Sequence, residues 1–172
     1  MIPVRYAAVP VVLALVLAGT GFLVAPTGGE EVSPVPFDQT LITGMAGVDV
    51  EQAESAGHVV PRAEVFYSQY EYVVGYYGLD SVAVSLRDEQ RPDQFGQPLA
   101  VFVTSLDGTA PSLTDEGYLT LDNSLAQGWV RAGDAWFVVD SGARTPAGPT
   151  PVPFASRDAA TQFADQYDGR VV

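Results

Sequence analysis

The 172-residue chain contains no cysteine and no lysine, one histidine and two methionines. Without a thiol there is no disulfide, no thiolate metal site and no cysteine nucleophile, and the redox compartment cannot be read from cysteine usage. With His58 as the single imidazole, a second histidine to orient a nucleophile is missing. A Gly-x-Ser-x-Gly elbow and a phosphate-cradling glycine loop are also missing. These absences argue against an enzyme. Nickel or zinc would want more nitrogen and sulfur ligands than exist here, and no Asp-x-Asp-x-Asp-Gly calcium loop occurs. All eight basic residues are arginine, set singly along the chain against 13 Asp and 8 Glu, for a net charge of −13. A phosphate-binding surface needs clustered cations, so nucleic acid is not an expected partner. A lysine-free carboxylate surface repels itself in dilute buffer and is screened in molar salt, where the Debye length falls to about 3 Å. This composition reads as halophilic, with an ordinary acidic secreted domain as the alternative.

What is present begins with an apolar N-terminus. From Tyr6 to Gly29 there is no charge, and Tyr6 to Val24 is almost wholly apolar, nearly enough to cross a hydrocarbon core of about 30 Å as a helix. Arg5 precedes the run and Glu30 and Glu31 follow it, which places the remainder outside the cytoplasm. Leu17-Ala18-Gly19-Thr20 has the form of a lipobox with Thr20 where the acylated cysteine would stand, so it cannot be lipidated there. The choice lies between a retained anchor and a cleaved signal, and poor small-x-small cleavage options favour retention. The expected organisation is an anchor or signal over 1–25, an extended tether over 26–37 rich in Pro and Gly, and a domain over 38–172.

Within that domain, alternation predicts a strand from His58 to Tyr67. Ser68-x-x-Glu71 has the form of a capping box, and Tyr70, Val73, Val74 and Tyr77 recur at helical spacing, so a helix is expected from Ser68 toward Gly78 or beyond. Its spacing sets Tyr72 and Tyr76 on a different face from Tyr70 and Tyr77, a candidate partner surface unless both faces are buried between the halves. Pro98 to Thr104 reads as a buried strand, Asp107-Gly108 as a turn, and Tyr118 to Asp122 as a short edge strand. Trp129–Arg131 and Ala135–Val139 suggest a hairpin closed by Ala132-Gly133-Asp134. Pro151 to Ala155 precedes a helix capped by Ser156, with Ala160, Phe163, Ala164 and Tyr167 on one face, and Arg170–Val172 is a final strand. Strand, Phe66-x-Ser68, helix and strand then correspond to strand, Phe154-x-Ser156, helix and strand.

Thr145-Pro146-Ala147-Gly148, Pro153-Phe154-Ala155, the helix with Phe163 and Ala164, and Gly169-Arg170-Val171-Val172 together resemble the C-terminal signature of the NosL family, copper-delivering accessory proteins of nitrous oxide reductase. Leu41-Ile42-Thr43-Gly44-Met45 falls where that family has Cys-Gly-Met. Thr43 stands at the motif cysteine, and Ala147 at the methionine of the Pro-Met-Gly turn. The resemblance implies an α+β fold of two related strand-strand-helix-strand halves packed together, here preceded by the N-terminal hydrophobic helix. It also implies a role in copper handling or delivery to a copper enzyme or transporter. Cuprous ion prefers soft ligands, and outside the apolar segment the chain offers Met45 and His58 alone. If both faced one cleft beside the Ala147 turn they could hold Cu(I). If not, the chain is expected to be a metal-free interaction scaffold at the outer membrane face.

Overall fold

The computed structural model describes residues 32–44, 47–69, 73–87 and 95–172. The apolar N-terminal segment, Met45 and Tyr72 therefore lie outside the described residues. In chain order the first half runs β1 (Leu41–Gly44), α1 (Gly47–Ser55), β2 (Arg62–Tyr67), β3 (Val73–Tyr77), α2 (Leu79–Arg87) and β4 (Pro98–Ser105). A small hairpin of β5 (Pro111–Leu113) and β6 (Leu119–Leu121) leads to β7 (Gly128–Arg131). The second half comprises β8 (Trp136–Val139), β9 (Arg144–Thr145), β10 (Gly148–Pro149), β11 (Val152–Phe154), α3 (Arg157–Gln166) and β12 (Arg170–Val171).

The larger sheet has the order β1-β3-β2-β4-β7, antiparallel except for the β1–β3 pair. Successive side chains alternate between its faces. Ala63, Val65 and Tyr67 of β2 and Val74 and Tyr76 of β3 point inward, where Leu79, Val82 and Ala83 of α2 cover them. The other face carries Arg62, Glu64 and Phe66 and is crossed by residues 32–40. The smaller sheet, β11-β8-β12, holds a second core with α3, in which Phe154 and Phe163 lie 5.5 Å apart. Phe137 of β8 enters the first core and its neighbour Val138 the second, so this strand is buried on both sides and joins them.

The α+β plan of two strand-strand-helix-strand halves holds, and its topology is closer than the sequence suggested. β2, β3, α2 and β4 pair in the order β3-β2-β4, and β8, β11, α3 and β12 pair in the order β11-β8-β12. The internal correspondence is shifted, however. Ser68 caps no helix among the described residues; its hydroxyl accepts from the Gln97 amide at 2.9 Å. Segment 73–77, expected as helix, is strand β3, and the first-half helix starts after Gly78, whose φ of +82° makes the turn. Gly78, not Ser68, thus corresponds to the Ala155-Ser156 turn. Helical spacing misled here because β3 buries residues on both faces, which erases a period of two.

A second correction concerns Trp129–Val139. β7 pairs with β4 (Trp129 opposite Thr104) and β8 with β11 and β12, so no hairpin forms across Ala132–Asp134, which is a 3-10 turn between two sheets. Tyr76 is corrected too. It is 1% exposed, its phenol 3.4 Å from that of Tyr67, so it belongs to the core and not to a partner surface.

One carboxylate sews the halves together. Asp107, just beyond β4, accepts from the amides of Ala155 (2.5 Å) and Ser156 (2.9 Å) and from the Ser156 (2.8 Å) and Ser105 (3.1 Å) hydroxyls. It thereby fixes the turn into α3, whose free amides favour an anion. Ser156 in turn accepts from the Ala159 amide at 3.3 Å, as its capping position requires.

Candidate functional site

Thr43 lies on β1, half-buried and in register with Tyr76 of β3. The glycine after it has a backbone reason to be there. Gly44 has φ +101°, and a β carbon would sit 2.7 Å from the Tyr77 carbonyl oxygen and 3.0 Å from Ser81 Oγ. The end of the motif strand is thus pressed against the first turn of α2. That turn also holds Asp80, whose carboxyl is pushed up to about 6 by burial and whose Oδ1 has no partner among the described residues. A lone aspartate gives no signal of this in sequence.

Ala147 is exposed in the two-residue turn between β9 and β10, where Thr145 faces Gly148. The turn is held locally: the Ala147 amide donates to Thr145 Oγ1 at 3.3 Å, and Gly148 has φ +127°. The C-terminal Gly169 is likewise enforced, because a β carbon there would lie 2.6 Å from Val138 Cγ1.

His58 follows α1 through Gly57, whose φ is +80°. Its amide donates to the Ala53 carbonyl at 2.9 Å, closing the helix end. The imidazole stacks on Tyr118 with centroids 4.5 Å apart and planes 6° apart, and the same phenol ring receives the Arg144 guanidinium at 5.4 Å. His58, Tyr118, Pro146 and the α1 residues Asp49, Gln52, Ala53 and Ala56 enclose a cleft of about 290 Å³. The fold therefore brings His58 to the Pro146-Ala147 turn, with the helix that follows the Thr43-Gly44-Met45 motif as the third wall. Met45 itself lies outside the described residues. A broader cleft of about 570 Å³ that shares Pro146 is lined by Glu116, Asp140, Arg144 and Ala147 among others.

Asp49 and Tyr118 were missed in the sequence. A signal for α1 existed in the i, i+3 pair Val50 and Ala53, both buried here with Val60. Chemically the cleft offers one imidazole, one carboxylate and a phenol. Among the described residues no three His, Asp or Glu side chains converge as a metal-binding group. Thr43 and Ala147 contribute no soft donor, so any cuprous site here is thinner than the family motif implies.

Paired strand-strand-helix-strand halves, with a histidine-bearing cleft beside the β9–β10 turn, define a small α+β domain. The chain belongs to the NosL family, whose model matches residues 39–172. No curated protein matches it. Among solved structures it is similar to the crystal structure of the copper chaperone NosL from Shewanella denitrificans. The TM-score is 0.50 at 21% identity, over 67% of this chain and 77% of that one, a likeness of fold.

Proposed function

We propose that this chain is a membrane-tethered, extracytoplasmic accessory protein that handles cuprous ion and passes it to a copper enzyme or transporter. The observation that carries this reading is the meeting of His58 with Pro146, the residue before Ala147 in the motif turn, on one cleft inside a NosL scaffold. Its third wall is the helix that begins two residues after Met45. Cuprous ion is the cargo; His58 supplies nitrogen and Met45 sulfur, a low-coordination pair suited to soft metal and to easy release. The tether rests on the uncharged run 6–29 with Arg5 before it and Glu30 after it.

The test is an anaerobic cuprous titration of the full chain in high salt against a competing chelator, with Met45→Ala and His58→Ala alongside. Stoichiometric binding lost in either variant supports the carrier. Absence of competition refutes it and leaves the second reading, a metal-free interaction scaffold at the outer membrane face. That reading is favoured by Thr43 and Ala147, which put a hydroxyl and a methyl group where the family carries sulfur. Membrane fractionation with protease protection tests the tether, which fails if the domain is soluble or shielded with the cytoplasm.

A further inference from the structure

The sheet face turned away from α2 carries a row in register across all five strands: Ile42, Gly75, Glu64, Phe102 and Arg131. Residues 32–40 run along this row as a strap. At one end Arg131 Nη2 donates to the Val32 carbonyl at 3.3 Å; in the middle the Val35 amide donates to Glu64 Oε2 at 3.1 Å. Phe37 then seats edge-on against Tyr77 (5.0 Å) and stacks on Trp129 (6.3 Å). Thr40 lies so close to Gly75 that a β carbon there would be 2.0 Å from its Oγ1. From Thr40 the chain passes directly into β1, which lies at the edge of the sheet and pairs, among the described residues, with β3 alone.

Glu64 sits under the middle of the strap, 0% exposed, and its Oε1 has no partner among the described residues. The charged groups on this face are engaged elsewhere. Arg62 pairs with Glu54 at 2.5 Å and lies over the Phe37 and Tyr77 rings. Arg131 lies over Phe102 while holding Val32. Asp38 on the strap is exposed, and the Tyr77 phenol is the remaining titratable group on this face among the described residues. A neutral carboxyl tolerates one hydrogen bond in such a site, whereas a carboxylate there lacks both a counter-ion and most of its acceptor bonds. Burial accordingly raises its pKa above the ordinary glutamate value, opposed by the Val35 hydrogen bond.

We propose that Glu64 is a proton-operated latch: neutral, it lets the strap seat across the sheet and hold β1 in place; ionised, it draws water in and frees the strap. The sign follows from linkage. A carboxyl held up in the folded state favours seating below the ordinary glutamate value, and that advantage is lost as pH rises through the raised one. Because the strap leads into β1, release loosens the strand that carries Thr43 and Gly44 while the two cores stay folded.

Hydrogen exchange of the full chain between pH 5 and 8, corrected for intrinsic exchange rates, tests this. Protection of amides 37–44 should fall relative to α3 in the unmodified chain and stay level in Glu64→Gln, which keeps shape and neutrality. Level protection in the unmodified chain, or an equal fall in Glu64→Gln, overturns the proposal. Should Glu64→Gln fail to fold, Trp129 fluorescence in a Trp136→Phe chain reports the Phe37 stack with Glu64 intact. A transition over the same pH range is expected, and its absence is equally fatal.

Discussion

Removing the Asp107 carboxylate should separate the halves more effectively than removing any other half-exposed side chain at their junction. Hydrogen bonds to a charged acceptor contribute about 1.5–3 kcal/mol each when sheltered. Three of those made by Asp107 cross to the second half, from Ala155 N, Ser156 N and Ser156 Oγ. The site is partly open, so solvent competes for the same donors, and the three together are worth about 2–4 kcal/mol. The favourable end charge of α3 lies within that range. Asp107→Ala should therefore lower stability by that amount, and Asp107→Asn by about half, since one carbonyl oxygen remains to accept. For a chain of this size, about 2–4 °C in Tm accompanies each kcal/mol, so roughly 5–15 °C is expected for Asp107→Ala. Urea unfolding followed by circular dichroism at one fixed salt concentration measures it. Ser156→Ala, which loses the cap as well, should cost about 1–2 kcal/mol. The double variant should cost less than the sum, because the two share bonds. A loss under 0.5 kcal/mol for Asp107→Ala, or strict additivity, would refute the assigned role.

Gly44→Ala forces a β carbon into the Tyr77 carbonyl at a positive φ and should cost about 2–3 kcal/mol in thermal unfolding; a neutral result would mean that the motif glycine is not backbone-enforced. Asp80, held up to about 6, destabilises the fold as pH rises from the ordinary aspartate range through 6. The full shift corresponds to about 3 kcal/mol, and screening at this half-buried site leaves about 1–2. Asp80→Asn should then be more stable than the unmodified chain at pH 8 and equal to it at pH 3, and a pH-independent difference would sink the reasoning. With a net charge of −13, the unfolding midpoint should rise between 0.1 and 2 M salt; a flat midpoint favours the ordinary acidic secreted domain over the halophilic one.

Residues whose neighbours in sequence are also their neighbours in space are legible in the sequence alone. Ser156 caps α3, and Ala160, Phe163 and Ala164 form its buried face, because a cap and a one-sided apolar stripe are local properties. The β-branched run in β4, the Asp107-Gly108 turn and the β6 strand were equally visible, as were the absence of thiols and the resemblance carried by Gly44, the Pro146 turn and Gly169. Where both faces of an element are covered, the period that reveals it disappears. That is why Val73–Tyr77 has the spacing of a helix and Tyr76 that of a surface residue. Strand partners are chosen over long separations, so Trp129 finding Thr104 and Trp136 finding Phe154 could not be read from the tempting loop between them. Only the packed chain sets His58 against Tyr118 and the Pro146 turn, and only the strap takes Glu64, one of 21 acids, out of water. Composition counts charged groups, but burial decides which of them keep their charge.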